Sequence, residues 1–186
     1  MRKIWAIGGI PGTGKTTLVR AAMAKLAEDW KPVKPYELLD AIYSESLDTY
    51  VLGKYDQWYE VNGYAQGTDK LSMAVQPKAI EFLKENSSSI IFEGDRLFTS
   101  TFLELCVALP ETNTQIVILK SNDLQQRYAQ RGSEQSEKFI SGRKTKYENI
   151  SSNFLLWENI TELSHNTPDD TSAIVKLIKD SYDNQS

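Results

Sequence analysis

A glycine-rich stretch near the start of the chain, Gly8–Thr17 ("GGIPGTGKTT"), carries the most specific chemistry in the sequence. It matches the pattern G-x-x-x-x-G-K-[ST] and lies between an apolar run and an amphipathic segment, the strand-to-helix context that phosphate-binding loops require. Glycines let backbone N–H groups turn inward around phosphate oxygens, and the following helix adds its positive dipole end. The pattern predicts a nucleoside triphosphate site at Gly9, Ile10, Pro11, Gly12, Thr13, Gly14, Lys15, Thr16 and Thr17.

Two side chains of this stretch have distinct expected tasks. Lys15 is expected to act in catalysis by bridging the β- and γ-phosphates as a mobile positive charge, and Thr16 to ligate Mg²⁺ through its hydroxyl. A flexible glycine turn without a ligand would not explain the lysine and the hydroxyl together. We therefore expect ATP and Mg²⁺ as the bound species.

Acidic residues follow a later apolar run, in "IIFEGDRLF" (residues 90–98). Ligands bind at the carboxyl ends of parallel strands, so one carboxylate can order Mg²⁺ while the other accepts the proton of an acceptor hydroxyl. We assign the metal to Glu93 and the catalytic base to Asp95, with Arg96 holding an anionic acceptor. The residues alone leave open the reverse assignment of the two acids, and also a plain ion pair between Asp95 and Arg96.

The segment from Lys120 to Tyr147 is locally basic, with seven Lys and Arg residues against three Asp and Glu residues. Arg127 and Arg131 are four residues apart and would share one helix face. Small-molecule kinases use an arginine-rich lid to clamp the transferring phosphoryl group, which predicts a lid over residues 127–147 with both arginines catalytic. A solvated helix face is the alternative interpretation.

The amino-acid composition limits the classes of protein and of site that the chain can form. The 186 residues are 40% hydrophobic and 25% charged, which is typical of a globular protein and predicts one domain over 1–186. The lone Cys106 excludes an internal disulfide, and the lone His165 gives little support to zinc or triad chemistry. The net charge of -4 gives no global attraction to nucleic acid or acidic membranes. The apolar run at the N-terminus is too short for a signal peptide or membrane span, so we expect a cytoplasmic protein without a membrane partner.

Apolar runs alternate with helical patterns along the chain, which predicts an α/β fold. The expected strand and helix pairs are 4–8 with 16–29, 90–93 with 99–109, 115–119 with 123–131, and 162–167 with 168–182, with Thr167 as the last N-cap. We predict the fold of P-loop NTPases, with a parallel five-stranded sheet, helices on both faces and the arginine-rich lid.

The region from residue 36 to residue 64 is rich in aromatic side chains: Tyr36, Tyr43, Tyr50, Tyr55, Trp58, Tyr59 and Tyr64. One explanation is cross-strand packing in a hairpin of residues 49–55 against 58–64. The other is a surface on which a nucleic acid base stacks, and the two can coexist.

Together these residues resemble the P-loop kinases of nucleosides and nucleotides, the thymidylate kinase group in particular. Asp95-Arg96 matches the Asp-Arg at the end of that family's third strand, and Arg127 with Arg131 matches its R-x-x-x-R. The resemblance covers most of the chain in order and is specific only at the phosphate loop. Two blocks depart from that family, residues 53–77 and 131–146, and look like a bacteriophage family of P-loop kinases that phosphorylate 5-hydroxymethyluracil in DNA.

The narrower resemblance implies that a hydroxymethyl oxygen on a DNA base attacks the γ-phosphate of ATP, in the cytoplasm of a host cell. Residues 36–77 would then be an acceptor-binding insertion, with Asp69 and Lys70 as substrate contacts, although Asp69 is equally consistent with a helix N-cap. A flipped or single-stranded base also needs backbone cations, which implies substrate contacts at Arg143, Lys144 and Lys146. A free nucleoside or nucleoside monophosphate kinase, and a nucleotide-dependent binding module with slow hydrolysis, remain as alternatives.

Overall fold

The computed structural model describes residues 1–55, 70–130 and 137–183. The strands within them are β1 (Arg2–Gly8), β2 (Lys31–Tyr36), β3 (Leu39–Ser44), β4 (Thr49–Leu52), β5 (Ser89–Glu93), β6 (Thr112–Lys120) and β7 (Ile160–Ser164). The α-helices are α1 (Lys15–Leu26), α2 (Gln76–Glu85), α3 (Ser100–Ala108), α4 (Leu124–Gln130), α5 (Glu137–Ser151) and α6 (Pro168–Asp183).

The strands form one seven-stranded mixed sheet in the order β2-β3-β4-β5-β1-β6-β7. Strand β3 pairs antiparallel with both β2 and β4, whereas β4, β5, β1, β6 and β7 are joined by parallel ladders. The predicted α/β class with helices on both faces is confirmed. The prediction of a parallel five-stranded sheet is wrong, because β2 and β3 extend the sheet and β3 reverses its direction.

Short connections explain this antiparallel edge. Only residues 37–38 join β2 to β3 and only residues 45–48 join β3 to β4, and connections this short cannot cross over to a parallel neighbour. Leu38 and Asp48 take left-handed backbone conformations in these turns, with φ of 66° and 46°. Strand β2 contains Pro32 and Pro35, which lack the N–H needed for a central position and suit the edge that β2 occupies.

One side of the predicted hairpin lies at the same edge of the sheet. Residues 49–52 form β4, which pairs with β3 on one side and with β5 on the other. Residues 58–64, the predicted partner segment, lie outside the described residues. Aromatic packing occurs between strands nonetheless, since Tyr43 and Tyr50 face each other across β3 and β4 with ring centroids 4.4 Å apart. Of the predicted insertion 36–77, residues 39–44 and 49–52 are strands of the main sheet.

All four predicted strand and helix pairs are present, as β1 with α1, β5 with α3, β6 with α4, and β7 with α6. Helix α6 begins at Pro168, and the Thr167 hydroxyl accepts a hydrogen bond from the Asp170 N–H, as an N-cap does. Among the helices described, none has the combination of length and apolar character that crossing a bilayer demands.

Strand β1 lies between β5 and β6, in the middle of the five strands joined by parallel ladders, and its side chains alternate between two apolar clusters. Ile4 and Ala6 belong to the cluster that includes residues of α2, α3 and α5, whereas Trp5 and Ile7 belong to the one with α1 and α6. Burial on both faces explains why this strand is a continuous apolar run. The loop after β1 therefore leaves the sheet at the centre of its carboxyl edge, where open α/β sheets bind ligands.

Candidate functional site

The glycine-rich loop connects β1 to α1 with three glycines at positive φ: Gly9 (143°), Gly12 (87°) and Gly14 (86°). At Gly14 the need for glycine is also steric, because an added Cβ would lie 2.6 Å from the ring of His165. That ring is buried, with 4% of its surface exposed. The loop is thus packed against the segment that follows β7.

Side chains donate hydrogen bonds to five consecutive carbonyl oxygens of this loop. The pairs are Lys15 Nζ with Gly9 (2.7 Å), Thr13 Oγ1 with Ile10 (2.9 Å), Tyr128 Oη with Pro11 (2.6 Å), Arg127 Nη1 with Gly12 (3.1 Å) and His165 Nδ1 with Thr13 (2.6 Å). The ring of His165 also contacts the Thr171 hydroxyl through Nε2, at 2.8 Å. Because Thr13 offers a carbonyl, the Nδ1 position of His165 carries the proton in this arrangement.

The carbonyl directions fix where the amides point. Within one peptide unit, the C=O and the N–H point in opposite directions. The carbonyls of residues 11–13 accept hydrogen bonds from Tyr128, Arg127 and His165. The N–H groups of Gly12, Thr13 and Gly14 therefore point away from these three side chains. The first helical bond of α1 runs from Leu18 N to Gly14 O, which leaves the preceding N–H groups without an intrahelical acceptor. The Thr13 N–H donates to the Ile10 carbonyl at 3.3 Å and closes a turn within the loop. The N–H groups of Gly12 and Gly14 are therefore the candidates for binding an anion at the start of α1.

The carboxylate of Asp95, just past β5, is held by residues of α5. Arg143 Nε lies 3.2 Å from Oδ2, while Lys146 Nζ at 3.2 Å and the Tyr147 hydroxyl at 3.1 Å contact Oδ1. Lys146 also donates to the backbone oxygen of Asp95. The ion pairs therefore join Asp95 to α5, and the alternative of an isolated pair between Asp95 and Arg96 is wrong.

Burial changes the proton affinities of this cluster. It lowers the pKa of Lys146, an effect that Asp95 opposes and that the charges of Arg143 and Arg96 reinforce, so Arg96 lies near the cluster. Burial, with the Asp95 charge, raises the pKa of Tyr147, and a hydrogen bond from the Gly9 backbone N–H opposes that rise. The phenol of Tyr147 stays protonated and bridges the glycine-rich loop and Asp95.

Glu93, the predicted metal ligand, lies at the end of β5 with 1% of its surface exposed. The hydroxyl of Tyr55 donates to its Oε1 at 2.6 Å. Burial lowers the pKa of Arg20, and the nearby Tyr55 and Glu93 oppose this, which places the Arg20 guanidinium close to the carboxylate. Arg20 is one helical turn beyond Thr16 on α1, so both project from the same side of the helix.

A cleft of about 490 Å³ opens beside Gly9 and Ile10, between the end of β6 and α5. Its β6 side is lined by residues 118–122 and Leu124, and its α5 side by Lys144, Tyr147, Glu148, Ser151 and Ser152. Lys144 is exposed and faces this cleft. The volume lies within the range of small-molecule sites, about 300–1,000 Å³.

The other residues predicted for the site differ in exposure and in their distance from the loop. Thr16 is half-buried and Thr17 exposed in the first turn of α1, while Lys70 is exposed ahead of α2. Asp69 and Arg131 lie outside the described residues. Arg127 is brought to the loop, but its guanidinium donates to the backbone carbonyls of Gly12, His165 and Asn166.

Three tyrosines that the sequence analysis did not single out as site residues contribute to the site. Tyr128 holds the loop, Tyr147 links the loop to Asp95, and Tyr55 binds Glu93. Tyr128 and Tyr147 both lie within the predicted lid, residues 127–147, but their type and spacing did not indicate these contacts. Tyr55 belongs to the aromatic region for which the sequence predicts packing or base stacking, and it is fully buried.

No protein-family model matches the chain, and no curated protein matches its sequence. Among solved structures, the chain is similar to an uncharacterized protein from Eubacterium ventriosum ATCC 27560, with a TM-score of 0.50 and 10% sequence identity. The alignment covers 99% of this chain and 100% of that one. At this level of identity the similarity shows a shared fold alone.

Proposed function

We propose that the chain is a phosphotransferase that binds ATP with Mg²⁺ at residues 9–17 and transfers the γ-phosphate to a hydroxyl acceptor. The observation that carries the proposal is the set of five consecutive loop carbonyls held by side-chain donors, next to the first turn of α1. Because these carbonyls are held by side chains, the N–H groups of Gly12 and Gly14 point away from those side chains and would be available to phosphate oxygens. The Lys15 ammonium lies within 2.7 Å of the loop carbonyl of Gly9, close enough to reach an anion bound there.

On the donor side, the loop amides and the α1 dipole hold the phosphates in place. Lys15 exchanges its contacts with the carbonyls of Gly9 and Ile10 for phosphate oxygens and neutralises charge that develops during transfer. Interactions of this kind act mainly by positioning and electrostatic stabilisation, since phosphoryl transfer needs little covalent chemistry from the protein.

The proposal includes a magnesium ion that arrives with the nucleotide. Within 1–55, 70–130 and 137–183, no three His, Cys, Asp or Glu side chains cluster as a dedicated metal site. Magnesium bound to phosphates needs only one or two protein oxygens. The Thr16 hydroxyl and the Glu93 carboxylate would hold it, and the ion would supply charge neutralisation at the β- and γ-phosphates.

On the acceptor side, Asp95 accepts the proton of the attacking hydroxyl. Its carboxylate must give up contacts with Arg143, Lys146 or Tyr147 to do so, and an anionic substrate offers those cations another partner. The acceptor proposed first is the hydroxymethyl group of 5-hydroxymethyluracil in DNA, which rests on the sequence resemblance, with Arg143, Lys144 and Lys146 at the backbone. A free nucleoside or nucleotide is the second candidate, favoured by the size of the cleft beside Gly9.

The test is phosphate transfer from γ-labelled ATP in the presence of Mg²⁺. The acceptors are single- and double-stranded DNA containing 5-hydroxymethyluracil, unmodified DNA, and a panel of nucleosides and nucleoside monophosphates. We expect label in a hydroxyl acceptor, and label found only as free phosphate would contradict a transferase. Activity on DNA should fall steeply with salt because phosphate contacts release counterions, whereas a free nucleoside should respond weakly.

Lys15→Ala provides the matching variant. It should lose at least about 100-fold in transfer, in keeping with the loss of one preorganised charge contact. Lys25→Ala is the control, since Lys25 is an exposed lysine at the other end of the same helix. Equal activity in both variants would remove Lys15 from the proposed mechanism.

A further inference from the structure

We infer that Arg127, Tyr128 and His165 are positioning residues that hold the glycine-rich loop open for phosphate, and that Arg127 is not a clamp on the phosphoryl group. The inference rests on the proposed nucleotide site. The three side chains come from two segments, α4 and the turn between β7 and α6, that are far from the loop in sequence. Tyr128 donates to the carbonyl of Pro11, Arg127 to that of Gly12 and His165 to that of Thr13.

Both terminal nitrogens of the Arg127 guanidinium donate hydrogen bonds to backbone carbonyls. Nη1 donates to Gly12 O at 3.1 Å, and Nη2 donates to His165 O at 3.0 Å and to Asn166 O at 3.1 Å. The guanidinium therefore ties the loop to the turn after β7. Planar guanidinium groups make such fixed multiple contacts, whereas an ammonium acts as a point charge.

His165 and Tyr128 complete the support from opposite ends of the loop. The buried His165 ring is fixed by Thr13 O on one side and by the Thr171 hydroxyl of α6 on the other. The Tyr128 hydroxyl reaches Pro11 O at 2.6 Å, and its ring lies 2.8 Å from the position that a Cβ on Gly12 would take. The ring leaves no room for the loop to move toward α4.

These contacts matter for binding because a loop peptide that rotates would present a carbonyl oxygen, and not an amide, to the phosphates. Because the loop peptides already have the binding conformation, the loop loses less conformational entropy when a nucleotide binds. Since the loop grips phosphates shared by ATP and ADP, loss of a positioning residue should weaken both nucleotides by the same factor. A clamp on the transferring phosphoryl group would instead act mainly on the transfer rate.

The experiment measures binding of ATP and ADP by calorimetry with Mg²⁺ present, together with the kcat and KM of transfer. Tyr128→Phe removes a single hydroxyl and should weaken both nucleotides by about 2- to 10-fold, the equivalent of one ordinary hydrogen bond. Arg127→Lys keeps the positive charge but loses the planar guanidinium with its two terminal nitrogens. It should weaken the binding of both nucleotides by about 10-fold or more. Tyr43→Phe is the matched control, because its hydroxyl binds Asp48 in the β3–β4 turn, away from the loop.

The outcomes separate the inference from the proposed function. KM for ATP should rise in Tyr128→Phe while kcat changes by less than the affinity, which a merely structural defect would not produce. If Arg127→Lys loses kcat but keeps the wild-type affinity for both nucleotides, Arg127 is a clamp and the inference is wrong. If wild type binds nucleotide but neither variant differs from it, the inference also fails and the proposed function stands. Failure of the wild-type protein to bind either nucleotide refutes both.

Discussion

Replacing Gly14 with alanine tests the described loop at the position where conformation and packing coincide. Gly14 has φ of 86°, and an alanine Cβ there would lie 2.6 Å from both Cε1 and Nδ1 of His165. The ring cannot retreat easily, because Nδ1 is bound to Thr13 O and Nε2 to the Thr171 hydroxyl. The substitution must therefore strain the backbone and also displace a buried, hydrogen-bonded ring.

The expected cost follows from these two effects. An L-residue in the left-handed region costs roughly 1–2 kcal/mol. Loss of the contact between His165 and Thr13 adds about 1–2 kcal/mol, because a buried acceptor loses its donor. We expect Gly14→Ala to destabilise the fold by about 2–4 kcal/mol and to lower Tm by about 5–15 °C in a protein of this size.

Thermal unfolding followed by calorimetry or circular dichroism measures this shift, and Gly142→Ala is the matched control. Gly142 lies within α5, and an added Cβ there meets nothing within 4 Å. Alanine is favoured over glycine in a helix by roughly 1 kcal/mol, so the control should melt at or slightly above the wild-type temperature. A Gly14→Ala protein that melts with the wild type would refute the described loop conformation or its contact with His165.

Two further predictions concern side chains outside the loop. Tyr55→Phe should destabilise the fold by about 1–3 kcal/mol in chemical denaturation, since it removes the donor to the buried carboxylate of Glu93; an unchanged midpoint would argue against that bond. Hydrogen bonds from the Ser44 hydroxyl and from the backbone N–H and hydroxyl of Ser46 lower the pKa of Asp29 to about 2, below the ordinary value of 3.8. Its stabilisation is therefore present above the unfolded pKa and disappears as pH falls toward the folded one. The Tm difference between wild type and Asp29→Asn should shrink between pH 5 and about pH 2, and a constant difference would contradict this assignment.

The glycine-rich loop could be predicted from sequence because its determinants are contiguous. Residues 4–8, the glycines and the amphipathic segment follow one another, so local pattern alone places the loop between a strand and a helix. The same holds for α6, where Thr167, Pro168 and two acids mark the start of the helix. In these segments the local preferences agree with the final fold.

The edge of the sheet could not be predicted in this way. Strand β2 carries two prolines and little apolar alternation, and β4 has only four residues, Thr49–Leu52. Their strand conformation depends on pairing with β3 and β5, which no local period records. Pairing of short segments is set by tertiary context, and this context outweighs weak strand propensity.

The contacts between residues of the candidate site could not be predicted from sequence for the same reason. The contacts of Asp95 with Lys146 and Tyr147 span 51 and 52 residues of sequence, and the contact of His165 with Thr13 O spans 152. Residue type and spacing indicate Asp95 and Arg127 as functional candidates but do not specify their contacts. For Arg127 the observed partners are backbone carbonyls, which no sequence pattern specifies.

Tyr147 connects the two halves of the proposed reaction. Its phenol accepts from the Gly9 N–H and donates to Asp95, so a movement that withdraws α5 from Asp95 also releases an amide of the glycine-rich loop. The ion pairs that hold α5 there are half-buried, with 22% of the Asp95 side chain accessible, so the two cations and the carboxylate all need new partners if they separate. In the proposed reaction, an anionic substrate would supply new contacts to Arg143 and Lys146, and the acceptor hydroxyl would replace them at Asp95. Release of the Gly9 amide would require Tyr147 to move as well, because its phenol contacts both Gly9 and Asp95.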